Sequence, residues 1–253
     1  MSDPILLHIE AGLARITLNR PDRLNAFDAD MAHAWAHATA EATARDDVGA
    51  ILVDAAGPGF CAGGDVVAMA EDMGSGAEIT ALAEVIGQGI LALVTSAIPV
   101  VAAAHGTTAG GGLGILLASD YAVVGEDSRI GSLYARMGLT PDLSVTAQLA
   151  RAVGERRALQ LVLTERMLSA AEAVEWGLVA EAVPDPGARA EEIARSWLDG
   201  ATGAYGQAKR LVRAAAGRTF SESLTDEAVT IGSALDTPDA GARIAAFAAR
   251  SRR

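Results

Sequence analysis

The chain has 253 residues, 51% of them apolar and only 4% aromatic, so one sizeable core must be built mainly from Ala, Val, Leu and Ile. Acidic residues number 32 against 20 basic ones, a formal charge of −12, which argues against the clustered positive surface that a nucleic-acid partner needs. The single cysteine, Cys61, rules out an intramolecular disulfide and fits a reducing, cytoplasmic setting.

The opening segment MSDPILLHIE lacks a basic region followed by an apolar one, so no signal peptide is expected. Residues 5–10 and 13–18 read as two strands joined at Ala11-Gly12, a hairpin signal. Residues 19–27 form a loop punctuated by Pro21 and Asn25, and 28–45 a helix with Asp28 as N-cap. A strand is expected at 49–54 (GAILVD), followed by the glycine corner FCAGGD at 60–65. The segment 69–80 (MAEDMGSGAEIT) is expected to border a pocket, its methionines forming an adaptable wall. Leu82, Val85, Ile86 and Leu93 stand at helical spacing within 78–96. The apolar stretch 89–104 is broken by Ser96 and Pro99 and is too short to span a bilayer, so no membrane partner is expected. Residues 99–104 predict a buried strand, leading into the second corner, HGTTAGGGLG at 105–114, a helix near 112–119 and a strand at 121–124. From Leu143 onward nearly everything reads as helix. Alternating strands and helices with continuously apolar strands give an α/β layered class.

The two corners carry the chemistry. Strand-to-turn corners rich in Gly and Ala bring bare backbone N–H groups to one point, because no side chain blocks the approach. Two converging N–H donors are what a developing oxyanion needs, which points to acyl or enolate chemistry. GGGLG is not the dinucleotide fingerprint, since the third glycine would fall on Ile115, and no Lys-Ser/Thr follows to make a P-loop. No G-x-S-x-G elbow occurs, and the four histidines and one cysteine show no metal-ligand spacing.

The segments LNRPDRLNAF, FCAGGD, HGTTAGGGLGILLASD, MGLTPDLSVTAQLARAVG and LSAAEAVEWGLV, in this order and spacing, resemble the crotonase superfamily, also called the enoyl-CoA hydratase/isomerase family. The likeness covers about the first three quarters of the chain. The tail departs from it at Ala242-Arg243, where the family carries Glu-Gly. The resemblance implies a spiral of repeated ββα units over 1–190 and a helical trimerisation region over 191–253. It implies a homotrimer or a dimer of trimers, with a coenzyme A thioester as substrate and no metal or redox cofactor. It places the oxyanion donors at the amides of Ala62 and Gly111. Losing one such donor costs roughly 3–4 kcal/mol of transition-state stabilisation. Arg23, Asn25, Ala26, Phe27, Asp65, Val66 and Lys209 fall where the family binds CoA. For most of these a structural role is equally open: a loop closure for Asn25 to Phe27, an Asx turn for Asp65, exposed faces for Arg23 and Lys209.

The family's hydratases hold water with two glutamates. Here those positions are Gly114 and Tyr134, so ordinary hydration is not expected. Asp142, in GLTPD, stands where isomerase-type members carry a carboxylate and is the expected proton shuttle, although an Asp before an apolar run also serves as a helix N-cap. His105 reads as a hydrogen-bonded buried residue, Cys61 as a small core residue, and Asp120 as a structural acceptor. The expected activity is a double-bond or ring isomerisation through a thioester enolate. A CoA lyase, dehalogenase or hydrolase on the same scaffold, or a catalytically silent acyl-CoA binder, remains an alternative.

Overall fold

A computed structural model describes residues 3–72 and 75–251. Residues 1–2 of the opening segment, 73–74 of the segment at 69–80 and 252–253 of the tail lie outside the described residues.

The chain starts with the hairpin β1 (Ile5–Glu10) and β2 (Leu13–Leu18), paired antiparallel with Leu7 opposite Ile16. Helix α1 (Ala29–Ala44) follows, capped by the Asp28 carboxylate, which accepts from the Met31 amide at 2.9 Å. β3 (Ala50–Ala55) runs parallel to β2, one residue later than the sequence suggests. Next come α2 (Val66–Asp72) and α3 (Gly76–Thr95), the latter opened by a capping box between Ser75 and Glu78. β4 (Val100–Ala104), β5 (Thr107–Ala109), α4 (Gly111–Leu117), β6 (Tyr121–Gly125) and β7 (Arg129–Gly131) carry the second glycine corner. The remainder is α5 (Val145–Val153), α6 (Glu155–Val162), β8 (Met167–Ser169), α7 (Ala170–Trp176), β9 (Glu181–Val183), α8 (Pro186–Asp199), α9 (Thr202–Ala214), α10 (Phe220–Leu235) and α11 (Pro238–Ser251).

Two sheets result. One has six strands in the order β1-β2-β3-β4-β6-β9, the other three in the order β5-β7-β8. An isolated bridge between Cys61 and Thr108 joins the first glycine corner to β5. The chain thus sends one strand into the large sheet and a short strand or bridge into the small one, then turns into a helix. Repetition of this step winds the ββα spiral. The strands of the small sheet, and β9, escape the sequence reading because three residues carry no measurable alternation.

One face of the large sheet is covered by α1 and α3, where the buried Trp35 donates from Nε1 to the Ile86 carbonyl at 3.2 Å and meets Phe27 edge-on at 6.2 Å. α3 is long and apolar enough to cross a membrane by length and composition alone, with a mean hydropathy of 1.6. Its Ile86, Ile90 and Leu93 enter the protein core. The opposite face of the sheet is covered by α8, whose Ala190, Ile193 and Ala194 bury against Leu13, Leu52, Val101 and Val123. The boundary expected between 190 and 191 therefore falls inside a core helix. The break in packing comes later, at α10 and α11, which contain no buried residue.

Candidate active site

The site grows from the loop after β2. Leu24 and Asn25 adopt left-handed φ values of 48° and 54°, conformations that asparagine tolerates better than most residues. The fully buried Asn25 side chain accepts from the Arg20 amide at 2.7 Å and donates to the Ala56 and Gly59 carbonyls at 2.9 Å each. This clamps the loop to the segment that leads from β3 into FCAGGD. The Phe27 amide then donates to the Gly63 carbonyl at 2.8 Å, and the Asp65 amide to the Phe27 carbonyl at 2.9 Å. Asp65 closes the corner: its carboxylate accepts from the amides of Val67 and Ala68, both at 3.2 Å, and pairs with Arg20 at 3.1 Å. Burial opposes its charge, yet the Ala68 amide and the Arg20 guanidinium hold its pKa below the usual carboxylate value.

The two glycine corners meet at Gly63. It has φ +107°, and a Cβ there would stand 3.2 Å from both the Ala109 carbonyl oxygen and the Gly111 nitrogen. No other residue fits both the dihedral and the space. The Gly111 amide, first in α4, donates to no protein acceptor among the described residues. Ala62 is a correction. Its amide donates to the Leu24 carbonyl at 3.0 Å and is spent. On this corner the amides of Gly63 and Gly64 both lack a protein acceptor among the described residues. The sequence could not distinguish Ala62 from them, because the choice depends on which amide the 19–27 loop consumes.

Asp142 precedes Leu143, which packs against the start of α4. The Leu143 side chain fills the space a Cβ on Gly111 would need, its Cδ1 at 2.7 Å from that position. α5 has Ser144 as N-cap, without a side-chain capping bond, so the capping role considered for Asp142 does not hold. The Asp142 carboxylate instead accepts a short hydrogen bond from the Tyr134 phenol. Asp142 keeps an exposed flank, but the neighbouring protein mass partly desolvates its carboxyl and raises its pKa, offset in part by that hydrogen bond. Tyr134 is raised in turn by burial and by the Asp142 charge, and so stays a neutral donor. Carboxylate and paired amides are the elements of proton transfer α to a carbonyl.

With that geometry in place, comparison with known proteins is informative. Residues 8–251 match the model of the enoyl-CoA hydratase/isomerase family. The chain belongs to that family. The 1,2-epoxyphenylacetyl-CoA isomerase of Escherichia coli K12 is 30% identical over 233 residues, covering 88% of this chain and 87% of that protein. The Mycobacterium tuberculosis protein named probable enoyl-CoA hydratase EchA14 is 34% identical over 192 residues, 76% of this chain and 74% of its own. Among solved structures, the enoyl-CoA hydratase of Mycobacterium smegmatis superposes with a TM-score of 0.90 at 26% identity, covering 98% and 96% of the two chains. The protein is therefore a crotonase-type acyl-CoA enzyme with the family's fold.

Membership sharpens the account of the residues expected to bind CoA. Asn25 and Phe27 are buried and bonded within the protein, and the Ala26 carbonyl accepts from the Arg20 guanidinium, so these three shape the loop. Arg23 and Val66 are exposed at the rim of the corner, with Arg23 close enough to Asp65 to lower its pKa. His105 is half-buried, with Nε2 hydrogen-bonded to the Gly57 carbonyl at 2.8 Å. Cys61 is fully buried, its Sγ 3.1 Å from the Asn25 carbonyl and its thiol pKa pushed up to about 12 by that burial. Among the described residues no three His, Cys, Asp or Glu side chains gather as a metal site would require. A cavity of about 810 Å³ opens at the far end of α4, walled by Leu116, Gln148 and Val212. Three of the polar groups on its wall, Asp120, Lys209 and Arg213, are bonded to one another or to backbone.

Lys209 is neither on a solvated face nor offered to a ligand. Its buried Nζ donates to the Leu93 and Ile98 carbonyls at 2.7 Å and pairs with Asp120 at 3.0 Å. Burial lowers its pKa, against the pull of Asp120. It pins α9 to the α3–β4 turn. Replacing Lys209 with Met leaves two buried carbonyls and one carboxylate short of a donor, a loss of about 3 kcal/mol. Chemical denaturation should show that loss, while the folded variant binds a CoA thioester with unchanged affinity.

Proposed function

We propose that the protein isomerises an acyl-CoA thioester, moving a double bond or rearranging a ring through an enolate, with Asp142 as the proton shuttle. The carrying observation is the Asp142 carboxylate: unused for capping, bonded by a neutral phenol, and next in sequence to Leu143, which packs over Gly111. The thioester oxygen takes the hydrogen bonds of Gly64 and Gly111, which makes the adjacent C–H acidic. Asp142 removes that proton and returns it to another carbon of the same acyl group. Its raised pKa suits both halves of this work, since a group that accepts and then donates acts best when its pKa lies near the working pH. Similarity to an epoxyphenylacetyl-CoA isomerase supports the reading, as does glycine at 114, which offers no second carboxylate. Arg23, exposed and without a side-chain hydrogen bond or ion pair among the described residues, is the proposed phosphate contact.

Asp142→Asn keeps the shape of the turn and removes the base. Turnover of 3-enoyl-CoA should fall by about 10²–10⁴-fold with the melting temperature unchanged; activity near wild type in this variant is incompatible with the mechanism. The pH profile gives a second check. Asp142 must be ionised to accept the proton, so kcat/KM falls as pH drops through its raised pKa. The phenol of Tyr134 stabilises the ionised form, so Tyr134→Phe should move the acid limb to higher pH; a move to lower pH would contradict the assignment.

Assembly follows the same reading. α10 and α11 expose Phe220, Val229, Ile231, Ile244 and Phe247, a set of apolar side chains with no intramolecular cover. These exposed apolar faces support the expected homotrimer or dimer of trimers. Sedimentation equilibrium at micromolar concentration should return three or six chain masses, and a stable monomer would sink this part of the proposal.

A further inference from the structure

Gly114 is the second glycine of α4, after Gly111, whose space is taken by Leu143. It is buried, and a Cβ there would stand 2.4 Å from the Leu143 carbonyl oxygen, 2.9 Å from the Leu143 Cβ and 3.2 Å from its carbonyl carbon. Two of these three atoms are backbone, which cannot swing aside as the tip of a side chain can. Leu143 itself has φ +47° and Ser144 φ +64°, a left-handed pair that costs an L-residue energy and persists only where the surroundings impose it. The turn is closed by the Val145 amide donating to the Asp142 carbonyl at 2.9 Å. Its hydrogen-bonding partner is built alike: Leu133, just before Tyr134, has φ +53°. Each member of the Tyr134–Asp142 pair thus adjoins a leucine held in a left-handed conformation.

We propose that Gly114 and Leu143 form a seat that fixes the Asp142 carboxylate over the start of α4, so that Gly114 is a positioning residue for proton transfer. The missing side chain at 114 lets the 142–144 turn descend onto the helix. Leu143 then reaches forward over Gly111, which sets Asp142 at a defined height beside the amides of Gly64 and Gly111. A methyl group at 114 lifts the turn and carries Asp142 away from both Tyr134 and the reacting carbon. This deepens the function proposed above and rests on Asp142 being the proton shuttle.

The test is Gly114→Ala, read in three ways. The variant is incubated with 3-hexenoyl-CoA in deuterated water, and label at the α and γ carbons is followed by mass spectrometry. Exchange should fall at least 100-fold, while the Kd for hexanoyl-CoA changes less than threefold. A crystal structure should show the Tyr134–Asp142 hydrogen bond broken. Wild-type exchange rates in Gly114→Ala, or a turn that stays in place, overturn the proposal. If Gly114→Ala does not fold, Leu143→Gly serves instead: it removes the forward-reaching side chain at a φ that suits glycine. It should exchange at least tenfold more slowly with binding retained, and unchanged exchange again overturns the seat. Wild-type protein that binds the thioester but exchanges no label overturns the shuttle reading instead, and the crystallographic arm then still decides whether Gly114 seats the turn.

Discussion

The site depends on a meeting of main chain with main chain. Gly63 lies against Gly110 and Gly111 so closely that even a methyl group would touch an amide nitrogen and a carbonyl oxygen. Side chains can be moved by a rotamer change; peptide units held between a sheet and a helix cannot. Under the proposed mechanism, that stiffness would spare the amides reorganisation when charge develops, which is where such a site derives its advantage over water. Much of the surrounding polar structure maintains this meeting. Asn25 clamps the loop, Asp65 closes the turn into α2, and Arg20 joins the two through ion pairs to Asp28 at 2.7 Å and to Asp65.

The large elements were legible in the sequence because they carry strong periodic signals. β1 and β2 fall at the expected residues, α1 starts at the expected cap, and the buried strand before HGTTAGGGLG is in place. The α/β class followed from them, while the spiral came from the resemblance to the enoyl-CoA hydratase/isomerase family. What was not legible depends on long-range accounting of hydrogen bonds. That the Ala62 amide of FCAGGD is already spent is decided by the Leu24 carbonyl, 38 positions earlier in the chain. Likewise α8 looks like other Ala-rich helices in the C-terminal half, but its Ala190, Ile193 and Ala194 find a sheet to cover.

Lys209 and Asn25 show how resemblance and physics divide the labour. Both sit where relatives are expected to meet CoA, and both use their polar atoms on the protein's own carbonyls. A buried polar side chain with its hydrogen-bonding capacity filled has little left for a ligand. Arg23, by contrast, keeps its guanidinium in solvent. The useful distinction within a motif is therefore between residues that build the loop and residues the loop presents.

The lone thiol has a practical meaning for handling the enzyme. Cys61 is sealed within the first glycine corner, and its proton is held far more tightly than that of a free thiol. Thiolate is the species that alkylating reagents and peroxide attack. Maleimide or peroxide added to the folded enzyme therefore reports breathing of the Gly63–Gly111 junction, and the rate of labelling is a clock for how often that junction opens.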